Sequence, residues 1–477
     1  MNNYKNILKS LKINPANNSP GGIYFLGIGG IGMSALARYF NSIGVKVSGY
    51  DKTPTPLTKQ LAAEGIAIHF EDNVELIDKM VPLVVYTPAV PKDHKELNYF
   101  QQNNYPVVKR SDVLQAITDS SFNICIAGTH GKTTTSTMVA HILTHSQFGC
   151  NAFLGGIAVN YDSNFWSSDK NVCVVEADEY DRSFLKLSPD IAIISSMDPD
   201  HLDIYGTAEN MEQAFIDFSA RIKQGGLLIS KFGLKRNNDL KSDRHFTYHL
   251  DNKNADVYAS NIQINNGSYR FDVVSKYWSL KNVVLNMGGL HNIENVLAAI
   301  TVAHHLKIED DKIVKAVASF KGVKRRFEYV VKTDKLIYID DYAHHPEELR
   351  ALITGAKKLF GNKKIVVIFQ PHLYSRTKDL ADGFAEVLDQ ADEIILLPIY
   401  PARELPMEGV SSEMITERMS NEYKMVLSKD DLLKHLGQEK DAHVEEGFEG
   451  TVIISAGAGD IDTLIEPIKK IMTAAPM

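Results

Sequence analysis

The stretch Ile124-Cys125-Ile126-Ala127-Gly128-Thr129-His130-Gly131-Lys132-Thr133-Thr134-Thr135 constrains the chain more than any other. Its apolar start reads as a buried strand that breaks at Gly128. Beyond Lys132 the apolar positions Met138, Val139, Ile142 and Leu143 recur with helical spacing. Strand, glycine-rich turn and helix in that order aim backbone N–H groups at whatever lies above the turn, and the positive end of the helix dipole favours phosphate there. Lys132 is then placed to reach the outer phosphates and the Thr133 hydroxyl to ligate Mg²⁺. Strict phosphate-loop spacing asks for glycine five positions before Gly131, where this chain has Ile126, so a plain glycine turn ahead of an ordinary helix stays open as the competing reading.

At 477 residues the chain exceeds one hydrophobic core and suggests about three domains. The segments read as 1–122, 123–326 and 327–477. With 51 basic against 59 acidic residues the net charge is -8, so neither a nucleic-acid nor a membrane-surface footprint is expected, and anionic ligands must be held by local sites. The polar start Met1-Asn2-Asn3-Tyr4-Lys5-Asn6 does not read as a signal peptide, and no apolar run approaches the ~18 residues of a membrane span. Cys125, Cys150 and Cys173 are odd in number, and two lie in apolar runs. They read as buried thiols in a reducing compartment, and a cytoplasmic location is expected.

In the first segment the strand run Gly22-Ile23-Tyr24-Phe25-Leu26 leads into Gly27-Ile28-Gly29-Gly30-Ile31-Gly32 and a helical stretch. Asp51 ends the next strand nineteen positions past Gly32. This context predicts a diphosphate over the turn and a nucleoside hydroxyl or base near Asp51, and leaves NAD and a UDP-sugar equally open. Thr87 follows the strand Leu83-Val84-Val85-Tyr86 and should lie at the same sheet edge.

In the second segment Val172-Cys173-Val174-Val175 ends in Glu176-Ala177-Asp178-Glu179, and the strand places Glu176 to share a Mg²⁺ with Thr133. Asp178, Glu179 and Asp181 read equally as ligands or as solvated acids. His201 hangs from the end of the strand Ile191-Ala192-Ile193-Ile194, where it could ligate a second Mg²⁺ or contact phosphate. Residues 231–285 read as an antiparallel excursion. Asn292 and Asn295 stand three apart at a helix start, suited to an adenine edge, although Asn292 reads as well as a helix cap. In the third segment strands and helices alternate again, and four strand ends, at 340–346, 370–377, 398–404 and 456–460, carry polar residues rich in His and Arg, a second ligand surface fit for a carboxylate.

Together the motifs Gly27 to Gly32, Gly128 to Thr133, Glu176 to Glu179, Asp200-His201, His291 to Asn295, Arg325-Arg326-Phe327-Glu328 and Asp341-Tyr342-Ala343-His344-His345-Pro346 resemble the ATP-dependent Mur ligases of peptidoglycan synthesis along nearly the whole chain. The resemblance implies an α/β fold of three domains: an N-terminal Rossmann-like domain, a central ATPase-like domain with a phosphate loop and mixed sheet, and a C-terminal Rossmann-like domain. It selects a UDP-sugar, contacted by Gly27, Gly29, Gly30, Ile31, Gly32, Asp51 and Thr87.

It further implies ATP held by Gly128, Thr129, His130, Gly131, Lys132, Thr133 and Thr134, with Asn292 and Asn295 on adenine, Arg326 on the phosphates and Asp340 on the ribose. Two Mg²⁺ ions would sit on Thr133, Glu176 and His201. The incoming amino acid would meet Tyr342, His344, His345 and Arg376, whereas Leu373 stands where some relatives carry Arg. Lys132, Glu176, His201, Arg326 and His345 are the implied catalytic set. UDP-N-acetylmuramate and L-alanine are the implied substrates, and the implied state is a monomer or weak dimer. No carbamylated lysine is assigned. A dehydrogenase would leave the phosphate loop unexplained, and a non-catalytic ATP switch would leave the third-segment strand ends unexplained.

Overall fold

In the computed structural model the glycine turns of the sequence join buried parallel strands to helices. Described are residues 4–8, 22–402, 404–439 and 448–474. By packing, the chain divides into one unit of Met1–Tyr258, Val274–Ser279 and Glu294–Val317, and a second of Ala259–Val273, Leu280–Ile293 and Ala318–Met477.

The first unit opens with strands β1 (Ile23–Leu26), β2 (Val47–Tyr50), β3 (Ala67–His69), β4 (Leu83–Tyr86) and β5 (Val107–Lys109). They form a parallel sheet in the order β3-β2-β1-β4-β5, the doubly wound pattern that leaves a ligand crevice at the carboxyl ends where the winding reverses beside β1. All four residues of β1 are buried, as a strand covered on both faces requires. The helix Pro56–Ala63 is closed at its start by a Thr55–Thr58 capping box.

The same unit continues with β6 (Phe122–Ala127), β7 (Asn151–Ala158), β8 (Ser163–Trp166), β9 (Val172–Glu176), β10 (Ile191–Ile194), β11 (Leu227–Lys231) and β12 (Arg244–His249). The order β12-β11-β10-β6-β9-β7-β8 puts the strand of the phosphate loop between β10 and β9, so all three ends open on one edge. Only the β7–β8 pairing in this series is antiparallel. The expected antiparallel excursion is corrected at β12, which runs parallel to β11, and at the first residues of β13 (Val257–Asn265), which run parallel to β12. The polar alternation there reports one wet face, which carries no information on strand direction.

In the second unit β13 continues beside β14 (Ser268–Ser275) and β15 (Ser279–Leu285). A six-stranded sheet follows, from β16 (Glu328–Lys332), β17 (Leu336–Asp341), β18 (Lys364–Phe369), β19 (Glu393–Leu396), β20 (Lys424–Val426) and β21 (Thr451–Ala456), ordered β16-β17-β21-β18-β19-β20. It is parallel except for β16, the antiparallel edge. Tyr338, Ile368, Ile395, Ile453 and Ile468 form its core. The three α/β domains expected are thus present. Cys125, Cys150 and Cys173 are free and buried. Among the described residues no helix is long and apolar enough to cross a membrane.

Candidate functional site

The phosphate loop leaves β6 at Gly128 and enters the helix Lys132–His145 through Gly131, whose φ of +81° is left-handed backbone that glycine adopts without strain. A Cβ on Gly131 would lie 2.7 Å from Asn295 Oδ1, so the turn and the helix Leu290–His305 meet where only hydrogen fits. Lys132 Nζ donates to Gly128 O at 2.7 Å and to Glu179 Oε1 at 2.6 Å. Thr133 Oγ1 donates to Glu176 Oε1 at 3.0 Å, while Gly155 N holds Glu176 Oε2 at 2.9 Å. Hydroxyl and carboxylate are thereby paired at the helix start, an all-oxygen donor set that fits Mg²⁺, whose remaining positions phosphate and water normally fill. Among the described residues no three or more His, Cys, Asp or Glu side chains gather into a metal cage.

Thr129 Oγ1 and Ser196 Oγ share a hydrogen bond of 2.8 Å, and Ser196 Oγ also accepts from His130 N, which fixes the loop to the end of β10. His130 itself is largely exposed, and Thr134 is buried. His201 follows β10 with a left-handed φ of 49°, its ring edge-on to Tyr180 at 5.3 Å and Nε2 3.7 Å from Asp200. Asn292 and Asn295 are buried on the first turns of their helix, and Asn292 Nδ2 donates to Gly288 O at 2.6 Å.

At the first glycine turn, Gly29 N donates to Asp51 Oδ2 at 2.7 Å, so the acid closing β2 buttresses the turn. Gly27 packs on Thr87: a Cβ there would stand 2.7 Å from Thr87 Cγ2. Gly30, Ile31, Gly32, Thr87 and Arg110 line a cavity of about 320 Å³, whose other wall holds Gly155, Glu176 and Asp178. A Cβ on Gly32 would fall 2.6 Å from Arg110 Nη1, and Arg110 Nη2 donates to Asp178 Oδ2 at 3.3 Å. A neighbouring space of about 370 Å³ shares Thr87, Arg110 and Asp178 and adds Lys109 and Asp181. The glycine turn and the Glu176 carboxylate therefore face one space.

In the second unit Asp340 is fully buried, its carboxylate accepting from Ser455 Oγ at 2.6 Å and from Arg325 Nε at 3.2 Å. Burial pushes its acid up to about 7, and Arg325 opposes the shift. Each of the two Asp340 oxygens thus already has a partner within the protein. Arg325 stacks on Tyr342 at 5.1 Å, whereas the neighbouring Arg326 side chain is exposed. Half-buried Asp341 accepts from Phe327 N at 2.7 Å and from Ala343 N at 2.8 Å, tying the end of the arginine loop to the end of β17.

His344 stands between Tyr342 and His372, at ring distances of 5.3 and 6.3 Å. His345 is exposed where the helix Pro346–Phe360 begins, its N–H held by Glu348. Arg376, on the helix Tyr374–Leu388, buries Nη1 with no hydrogen bond, as does His372 with Nδ1. Burial, then Arg376 and His344, keeps the His372 pKa low. Leu373 takes a left-handed φ of 70° between them. Tyr342, His344 and Arg376 thus converge with His372 on one edge, while His345 points to solvent. Arg403, on the next strand end, lies outside the described residues.

The sequence reading missed Arg110, Gly155 and His372 and left Asp178 and Glu179 undecided. Gly155, in the middle of a strand, was the one local signal, since glycine there marks a close approach.

Comparison with known proteins is consistent along the chain. Residues 22–121 match the family model described as Mur ligase family, catalytic domain; residues 126–303 match Mur ligase middle domain; and residues 325–459 match Mur ligase, glutamate ligase domain. A UDP-N-acetylmuramate--L-alanine ligase of Porphyromonas gingivalis is 50% identical over 94% of this chain and 98% of its own length. Its counterpart in Flavobacterium johnsoniae is 47% identical over 94% and 97%. The crystal structure of a UDP-N-acetylmuramate-alanine ligase from Thermotoga maritima superposes with a TM-score of 0.76 at 29% identity, covering 94% of this chain and 98% of that one.

Proposed function

The chain belongs to the Mur ligase family, and from that premise we propose an ATP-dependent ligase that joins L-alanine to the lactyl carboxylate of UDP-N-acetylmuramate, with release of ADP and phosphate, in peptidoglycan precursor synthesis. The observation that carries the reading is the 320 Å³ cavity, because it sets a diphosphate-type glycine turn against the carboxylate paired with the phosphate-loop threonine. A sugar nucleotide seated on Gly27, Gly29, Gly30, Ile31 and Gly32, with Asp51 and Thr87 flanking, extends its carboxyl group toward Glu176. The amino acid falls to Tyr342, His344, His345 and Arg376. Asn292 and Asn295 are assigned to adenine and Asp340 to the ribose. Domain limits near 122 and 326, a cytoplasmic location and a monomer or weak dimer complete the reading.

In the first step the substrate carboxylate attacks the γ-phosphate in line. Lys132 and Arg326 offset the charge gathering on the equatorial oxygens, and the backbone of Gly128 to Thr134 orients the triphosphate. Thr133, Glu176 and His201 are assigned to two Mg²⁺ ions, which when bound neutralise phosphate charge. In the second step the neutral amine attacks the acyl phosphate, and the resulting tetrahedral oxyanion meets the same Lys132 and Arg326 before collapse to amide and phosphate. Exclusion of water protects the acyl phosphate from hydrolysis.

The test is phosphate release from ATP with UDP-N-acetylmuramate and a panel of amino acids. L-Alanine is expected to give the highest kcat/KM, with serine and glycine behind by the ~1 to 3 kcal/mol that small side-chain changes allow. ATP turnover indifferent to every amino acid would end the ligase reading.

A further inference from the structure

Glu179 is placed where an exposed metal ligand would not be. Its side chain is 1% exposed, and Oε1 receives the Lys132 ammonium at 2.6 Å. Its other oxygen, Oε2, is buried with no hydrogen-bond partner. The backbone is fixed from the far side, because the Tyr205 hydroxyl donates to the Glu179 carbonyl at 2.6 Å. An ammonium group has three N–H donors. Two of those on Lys132 are spent, one on Gly128 O and one on Glu179, which leaves one for a ligand above the loop.

We propose that Glu179 is a positioning residue for Lys132: it pins the ammonium against the turn so that its single remaining N–H is aimed at the transferring phosphate. Gly128 O alone is a neutral acceptor and leaves a four-carbon side chain free to swing, whereas a buried carboxylate opposite it fixes both position and charge. The pin stays shut when ATP binds, since opening it would strand an ionised carboxylate in a dry site with an oxygen already unpartnered. The inference rests on the ligase reading, because it concerns phosphoryl transfer at this loop, and it assigns Glu179 no direct contact with metal or substrate.

The test compares wild type with Glu179→Gln, which keeps shape and loses charge. The wild type must first show ATP- and amino-acid-dependent ligation, which checks the ligase reading separately. The variant is expected to lose kcat about 10- to 100-fold, with KM for ATP and the Mg²⁺ concentration for half-maximal rate each within about threefold of wild type. UDP-N-acetylmuramate binding by calorimetry should be retained, which a merely unfolded variant would not show. A tenfold rise in the Mg²⁺ requirement would make Glu179 a metal ligand and overturn the proposal, as would an unchanged kcat.

Thermal melting supplies a readout independent of activity. Lys132→Gln should melt lower than the double variant Lys132→Gln/Glu179→Gln, because only the single change leaves the carboxylate buried and alone. A double variant that melts no higher than Lys132→Gln overturns the pairing.

Discussion

Lys132→Ala should lower kcat at least about a thousandfold while sparing UDP-N-acetylmuramate binding, measured by phosphate release and calorimetry. Lys132, Thr133 and Glu176 were legible because strand, turn and helix place them by local chemistry. Arg110 and Glu179 were not, since their partners lie 68 and 47 residues away, Asp178 for the arginine and Lys132 for the glutamate, and only packing brings them together. Gly32→Ala tests the other nucleotide. Its methyl group would displace the Arg110 guanidinium, which can move, so the protein should fold with a raised KM for UDP-N-acetylmuramate and an unaltered KM for ATP. Equal changes in both would detach Gly32 from the sugar nucleotide.

A residue outside the site contributes to the pH dependence of stability. Glu96 is fully buried, accepting from Tyr24 OH at 2.6 Å and from Asn73 N at 3.1 Å, and burial pushes its pKa from 4.5 up to about 7. The folded state therefore holds its proton more tightly than the unfolded chain. Stability falls as pH rises from about 4.5 to about 7, by roughly 3 kcal/mol from this group. Urea unfolding across that window should show the slope, and Glu96→Gln should reduce it, leaving the part that buried Asp340 contributes over the same range.

At the scale of elements, the alternation of strands and helices and the glycine turns were readable, because buried parallel strands are continuous apolar runs. Strand direction around β12 was not, since alternation is the same for either direction. Nor was the contact between the helix Ile31–Ser42 and β8. Buried Asn164 of β8 donates to Ile31 O at 2.6 Å and to Ser34 Oγ at 2.9 Å, and accepts from Arg38 at 2.5 Å. Arg38 is itself paired with Glu64. Asn164→Ala would strand the buried Arg38 guanidinium N–H and take one partner each from Ile31 O and Ser34 Oγ, which keep their bond to each other. A loss of about 2 to 4 kcal/mol in chemical unfolding is expected, with a rise in KM for the sugar nucleotide whose turn begins at that helix.

Across the whole molecule, the groups assigned to one reaction are carried by both packing units. If the chain hinges near residues 122 and 326, an ATP analogue and UDP-N-acetylmuramate together should lower the radius of gyration in small-angle scattering relative to either alone. An unchanged radius would remove the hinges from the mechanism. The sequence could name the modules, since each has its own periodic pattern, but no local stretch encodes how one would swing against another.

The three sulfhydryl groups have a practical corollary. All are buried, and burial raises the pKa of Cys125 well above the ordinary thiol range and that of Cys150 up to about 12. Maleimide dyes should therefore ignore the native enzyme and react with three sites only after denaturation. A cysteine introduced on the surface of each hinge-flanking module would then take up fluorophores alone, so that distances between modules can be followed by energy transfer during turnover without first removing any natural thiol.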